Sequence, residues 1–593
     1  MAACVSDAPE QSAKSLGGPR VPTPAQLDAW VPDDVRWETE GSFAHPLVPG
    51  PYKSLPVQVS TFRSFDGTRI QTALWRPDVP EGVKAPVIID AGPYYGDQIE
   101  RPLPYIAPTI ISGLVPYGFA YAQVAMRGTA GSGGCMEVFS MNEQKDVDAA
   151  VTHFATQPWS NGNVALTGIS YDGTDTWIAA AFPNPALKTI VPISGLTSIY
   201  DHHVRNGTPW LFEPVLHANY WAYGWQTERR TPEDKVANAA CPEGVRGVAT
   251  ASYTLVTGDR NEPGPLDGFW DDRDFKPRIL KNYEGSVFLV QGLRDWRVPP
   301  YLHFPFMQEM QAKGIETKML LGQWWHDMPD KVQEPQQRRW DYAEMLLRWF
   351  QQELMGLDVV NTGPLVDVQD DHGAWRTEEN WPPADANWTT LFLGANTLRR
   401  QDGAAGDQVL FSPASAHRLV SERVPAARGN PVPVVEYRVA LGPLQEDLRV
   451  AGLPRLHVTF IPTSPEGARI QAQLLDRDPS GAERDVGHAV MDLRYYKGGY
   501  QRHQLTPGQP IQALMEFLPL DAHLQAGHQL VLSISNAGYS EERLNRGGTG
   551  VIDQWHESPA PLPVRIAWGG GRSTLELPLI ERDVGDGKYP GQP

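Results

Sequence analysis

The 593-residue chain carries 70 acidic against 51 basic residues, a formal charge of −19, with 41% hydrophobic and 20% charged residues. That balance lacks the basic footprint that nucleic acid or an anionic membrane surface requires, so nucleic acid is excluded as the main partner. The length exceeds what one core supports and suggests about three or four domains, while 54 prolines, 55 glycines and 19 tryptophans exclude a coiled coil or a disordered hub.

The opening MAACVSDAPEQSAKSLGGPR has neither a basic n-region nor an apolar h-region. Ala2-Ala3-Cys4 resembles the end of a bacterial lipoprotein cleavage box, and chance gives the same three residues easily. Residues up to about Pro22 are expected to form a flexible tail. Gln58 to Pro77 alternates apolar and polar residues around Asp66-Gly67, the pattern of a hairpin. Short apolar runs follow at Val87–Asp90, Phe119–Val124, Val164–Thr167, Thr189–Ile193, Val287–Val290 and Lys318–Leu321. Helical patterns separate them, such as Val147, Val151 and Phe154, so the alternation predicts a mostly parallel, doubly wound sheet. Ala107–Met126, the least charged long stretch, contains Pro108, Pro116 and Gln123 and reads as loop, turn and strand rather than a membrane span. Residues 196–281 break the rhythm with aromatic, His-rich and Pro-rich sequence and read as an inserted cap. A helix is expected over Asp341–Gly356. Beyond it, strands such as Leu456–Ile461, Arg469–Leu475 and Gln529–Ile534 recur among Gly/Pro turns and predict an all-β sandwich.

The stretch Leu166-Thr167-Gly168-Ile169-Ser170-Tyr171-Asp172-Gly173-Thr174 ends one apolar run and leads into a small-residue helix over Thr174–Ala181. A strand that delivers Gly-x-Ser and reverses into a helix is the geometry of a nucleophile elbow. A serine hydroxyl needs a base and a third group to orient that base, and in this kind of fold the order is Ser, acid, His. Asp295 follows the Val287–Val290 run, and His326 follows Lys318–Leu321, 31 residues later. Both occupy the strand-end positions that a triad requires. One oxyanion donor is expected from the backbone N–H of Tyr171. The second is expected from the loop DAGPYYGD, where Tyr94 or Tyr95 could offer a phenolic O–H.

GISYDGT, RGTAGSGGC at Arg127–Cys135, VPISGLTSIYDHHVRNG at Val191–Gly207, GLRDW and the late GAWRTEENWPP together resemble the Xaa-Pro dipeptidyl-peptidase and cocaine-esterase-like family of serine hydrolases. The resemblance spans most of the chain and implies an α/β-hydrolase domain, a helical cap and a C-terminal jelly roll. The expected layout is a lead-in over 1–45, hydrolase over 46–195 and 282–357, the cap over 196–281 and a jelly-roll β-sandwich over 358–593. The resemblance also favours Tyr94 over Tyr95. Ile199 and Arg297 depart from the family pattern at positions near the substrate in relatives, where Trp and Asn are expected.

Two substrate classes stay open: N-terminal Xaa-Pro dipeptides, the preferred reading, and small acyl esters or amides. A dipeptidyl-peptidase must hold a free ammonium, for which Asp201 or Glu213 in the cap is the candidate. An aromatic pocket near Trp296 could take the proline ring, with Trp177, Trp210, Trp221, Trp324 and Trp325 as further candidates for an aromatic lining. Cys135 and Cys241, both in segments that resemble family loops, are expected to form a disulfide between hydrolase domain and cap. No metal cluster and no cofactor are expected. The partner is a peptide or small acyl substrate, a homodimer stays open, and a secreted or cell-envelope location is favoured slightly over the cytoplasm.

Overall fold

The computed structural model describes residues 50–580 apart from 210–212, 225–230, 258–259, 261–267, 296, 333, 335–336, 358–361, 411–435 and 536–562. The suspected lipoprotein box and the N-terminal tail therefore lie outside the described residues.

The hairpin around Asp66-Gly67 forms as β1 (Gln58–Arg63) and β2 (Arg69–Trp75), paired antiparallel. The apolar runs become β3 (Ala85–Gly92), β4 (Ala120–Ala125), β5 (Ser160–Ile169) and β6 (Leu187–Ile193). A two-residue ladder in the cap, β7 (Val204–Arg205) with β8 (Thr208–Pro209), stands apart. The main sheet resumes with β9 (Ser286–Gly292) and β10 (Thr317–Gly322) and closes with β11 (Val366–Gln369) and β12 (Trp375–Glu378). Its strand order is β1-β2-β4-β3-β5-β6-β9-β10-β11-β12. Pairing is parallel from β4 through β11 and antiparallel at both margins. The central strands are buried on both faces, which is why their sequences read as apolar runs rather than alternating ones.

Helices cover both faces. Along β3, Val87 and Ile89 join one core and Ile88 the other, as the two-residue period of a strand demands. On the first face pack α2 (Met141–Ala155), through Val147, Val151 and Phe154, and α3 (Tyr171–Ala179), through Trp177. On the other lie α1 (Ala107–Gly113) and a long C-terminal helix over Tyr342–Met355. That last helix buries Leu346, Trp349 and Phe350 and stops at Gly356, whose φ of 62° is the left-handed cap that glycine adopts without penalty.

The cap emerges between β6 and β9 as expected. It holds α4 (Ile199–His203), α5 (Glu213–Tyr223), α6 (Pro232–Ala239), α7 (Pro242–Thr257) and α8 (Lys276–Asn282). After β12 the described residues form a nine-stranded and a four-stranded sheet whose strand pairs are antiparallel. Residues from both sheets, such as Val458 and Leu474, share one core, so the two layers form a β-sandwich. The expected boundary at 357/358 falls before two further strands of the hydrolase sheet. β11 extends the hydrolase sheet by pairing parallel with β10, and β12 returns beside it, so that sheet runs to Glu378. Two strands of only four residues around a His372-Gly373 turn carry too little periodicity to reveal which sheet they join.

Candidate active site

Ser170 stands between the last residue of β5 and the first of α3, with φ 67° and ψ −118°. A non-glycine residue held in such a region costs about 1–3 kcal/mol, and the surroundings must over-determine it. Two hydrogen bonds do so: Ser170 N–H donates to the Ile193 carbonyl at 3.0 Å, and the Ser170 carbonyl accepts from Thr174 N–H at 2.9 Å. The flanking glycines are steric requirements of the same turn. A Cβ on Gly168 would lie 2.6 Å from the Asp172 Cβ, and one on Gly173 would lie 2.5 Å from the Ile193 carbonyl oxygen. Asp172, at the position where most elbows have glycine, fits because Gly92 opposite it has no side chain. A Cβ there would sit 1.6 Å from Asp172 Oδ1. Burial, and then the charge of Asp90, pushes the Asp172 carboxyl well above the usual range, while burial lifts Asp90 to about 7.

Asp295 and His326 follow β9 and β10, strands that pair with each other. His326 Nδ1 lies 2.8 Å from Asp295 Oδ2. The other carboxylate oxygen accepts from the Arg297 and Val298 amides at 3.0 and 2.9 Å. Asp295 is completely buried. Burial would raise its pKa, but the neighbouring His326 and the Val298 amide outweigh it and hold the carboxyl below its ordinary value. The carboxylate is thus ionised and aimed at the imidazole.

The two loop tyrosines separate cleanly. Tyr95 is buried, and its hydroxyl donates to the Asp90 carbonyl at 2.7 Å. The Tyr94 hydroxyl is close enough to Ser170 to interact with it, and it lies 2.7 Å from that of Tyr220. Burial raises the Tyr94 pKa well above 10, so the group stays a phenol and can donate. Tyr171 is the first residue of α3, where N–H groups have no intrahelical acceptor. Its hydroxyl donates to Glu143 at 2.8 Å, and Glu143 also accepts the Glu137 and Val138 amides, which shapes the loop carrying Phe139. Phe139 stacks on Tyr171 at 3.8 Å between ring centres.

A cavity of about 250 Å3 opens at Ser170, walled by Phe139, Tyr171, Leu196, His202 and the cap residues Leu216, Tyr220 and Tyr223. Burial depresses His202 to about 4, so it is neutral there. A larger cavity of about 800 Å3 between hydrolase, cap and sandwich does not include Ser170. Asp201 lines this second cavity. Its carboxylate pairs with Lys276 at 2.8 Å and accepts from Tyr500 at 3.0 Å. Asp201, one of the two residues expected to meet a substrate ammonium, therefore lies in a different cavity from Ser170 and is already paired. In the short α4, adjacent residues diverge, and His202 rather than Asp201 faces the serine.

Glu213 is the first residue of α5, and Trp296 and Trp210 lie outside the described residues. Trp177 and Trp324 are fully buried core residues rather than cavity lining. Arg297 borders the Ser170 cavity and Ile199 is buried. Cys135 and Cys241 are joined in a disulfide with Cα atoms 5.8 Å apart, linking the loop before α2 to the start of α7. No helix among the described residues is long and apolar enough to cross a membrane. Tyr220 escaped the sequence reading altogether. Its only signal is the spacing of Leu216, Tyr220 and Tyr223 on one helical face, which looks the same as ordinary core patterning.

Comparison with known proteins finds relatives over most of the chain. The family model described as X-Pro dipeptidyl-peptidase (S15 family) matches residues 66–327, and that of the X-Pro dipeptidyl-peptidase C-terminal non-catalytic domain matches 359–549. A Bacillus anthracis protein provisionally named Xaa-Pro dipeptidyl-peptidase is 25% identical over 85% of this chain and 86% of its own length. A Streptomyces avermitilis protein with the same provisional name is 27% identical over 67% of this chain, and the match spans only 60% of that relative. The solved structure of a CocE/NonD family hydrolase from Staphylococcus aureus superposes with a TM-score of 0.66 at 16% identity, over 90% of this chain and 97% of the other.

Proposed function

Because the chain belongs to the X-Pro dipeptidyl-peptidase (S15) and cocaine-esterase-like family of α/β-hydrolase enzymes, we propose that it removes Xaa-Pro dipeptides from peptide N-termini through an acyl-enzyme on Ser170. His326 takes the Ser170 proton as the hydroxyl attacks the carbonyl carbon, and Asp295 holds the imidazole with Nε2 free to accept it. The oxyanion is bound by Tyr171 N–H and the Tyr94 hydroxyl. His326 then returns the proton to the leaving amine, and water repeats the sequence to release the dipeptide.

The observation that carries the substrate assignment is the Ser170 cavity, walled on the cap side by Leu216, Tyr220 and Tyr223 of α5. Glu213 is the first residue of the same helix. An acid at that position suits a substrate ammonium two residues from the scissile bond. The small aromatic-walled cavity suits a proline ring, which brings no N–H to satisfy.

A second reading, hydrolysis of small acyl esters or amides, gains from the placement of Asp201 in the other cavity. Chromogenic Ala-Pro amides with free and acetylated N-termini separate the two. A charge-assisted contact predicts that acetylation lowers kcat/KM by at least about tenfold, and that Glu213→Gln removes most of this difference. Equal rates on both amides, or fast aryl-ester cleavage with no Xaa-Pro amide cleavage, would assign the enzyme to the esterase or acylase class.

A further inference from the structure

The hydroxyls of Tyr94 and Tyr220 are 2.7 Å apart, one from the loop after β3 and the other from the cap helix α5. A phenol has a single proton. If Tyr94 is to donate that proton to an oxyanion, any hydrogen bond it keeps with Tyr220 must run from Tyr220 O–H to the Tyr94 oxygen. A donor at that oxygen polarises the Tyr94 O–H and fixes its rotor toward Ser170, as consecutive hydrogen bonds in a chain reinforce each other. We infer that Tyr220 is a positioning residue for the oxyanion hole: the cap, through this one phenol, orients the Tyr94 donor that stabilises the transition state. The inference rests on the assignment of Tyr94 to the oxyanion.

Tyr220 is itself firmly held. Its ring packs against Tyr171 at 4.8 Å and stacks with Tyr223 at 5.4 Å. The next residue, Trp221, donates from Nε1 to the Asn238 carbonyl at 3.0 Å, and the Asn238 side chain donates back to the Trp221 carbonyl at 3.1 Å. The Asn238 side-chain oxygen accepts from Met136 N–H at 2.9 Å, beside the cysteine that ties this loop to α7. Gly244 completes the seat, since a Cβ there would lie 2.6 Å from the Trp221 ring. The Tyr220 hydroxyl is therefore placed by a connected path from the hydrolase domain rather than by the cap alone.

A double-mutant cycle on kcat tests this, using Tyr94→Phe, Tyr220→Phe and the pair with one chromogenic substrate. Both substitutions keep the ring and its packing. Tyr94→Phe is expected to lower kcat by about 100-fold or more. Tyr220→Phe should lower kcat by about three- to tenfold with KM within about twofold, the range for one hydrogen bond. The double variant should be no slower than Tyr94→Phe alone, because Tyr220 acts only through Tyr94. If Tyr94→Phe is slow but Tyr220→Phe is silent, or its factor persists unchanged in the Tyr94→Phe background, the inference falls and the oxyanion assignment stands. A silent Tyr94→Phe overturns both.

Discussion

Replacing Asp295 with asparagine changes one atom of the site and leaves its shape. In the native arrangement Oδ1 accepts the Arg297 and Val298 amides, and Oδ2 faces His326 Nδ1 at 2.8 Å. An asparagine can keep the first two bonds only with its oxygen at Oδ1, which turns its NH2 toward Nδ1. The imidazole must then present a lone pair there and carry its proton on Nε2, the nitrogen that should receive the serine proton. The wrong tautomer and the lost carboxylate together predict a fall in kcat of about ten-thousandfold, or about 5.5 kcal/mol of transition-state stabilisation. KM should move little, since the residue is buried beneath the histidine and does not line the cavity. Steady-state hydrolysis of a chromogenic ester measures the loss, and a thermal melt controls for folding. A folded Asp295→Asn enzyme within about tenfold of wild-type kcat would refute the reasoning.

The Cys135–Cys241 bond closes a loop spanning 106 positions. On the chain-entropy account its removal by Cys135→Ser with Cys241→Ser should cost about 4–5 kcal/mol, seen as a lower denaturation midpoint. Thiol titration of the denatured, unreduced protein should find only Cys4, and three thiols would contradict the bond. Acid lability is expected from buried neutral histidines: burial depresses His303 to about 3 and His202 to about 4. Below the ordinary histidine value of about 6.5 the unfolded chain takes up protons that these residues refuse, so they withdraw stability as pH falls from about 6.5 toward 4. His303→Phe removes one of them, in a ring stacked near Trp177 whose nitrogens have no hydrogen-bond partner among the described residues. Its Tm should decline less steeply over that range, and an identical slope would count against the assignment.

The elbow and the two strand-end partners were legible because the fold places them by chain order. Gly-x-Ser at the end of one buried run, Asp295 after another and His326 after the next need only the strands to be recognised. Asp201 was not legible, because the direction of a side chain on a five-residue helix depends on how that helix docks. Its pairing with Lys276 and Tyr500 involves partners 75 and 299 positions away. The fit of Asp172 against Gly92 was equally hidden, since it depends on the close approach of the elbow to the end of β3. The short strands β11 and β12 joined the hydrolase sheet for a reason their sequences do not carry, the free edge of β10.

The central claim is that Ser170 is the nucleophile of a serine hydrolase. A serine-directed fluorophosphonate, followed by peptide mass spectrometry, tests it most directly. The account predicts one adduct per chain, on Ser170, forming in step with loss of activity and absent from a folded Ser170→Ala variant that has lost nearly all turnover. Full inactivation with the label on another residue, or a Ser170→Ala enzyme that keeps a tenth of wild-type kcat, would contradict it.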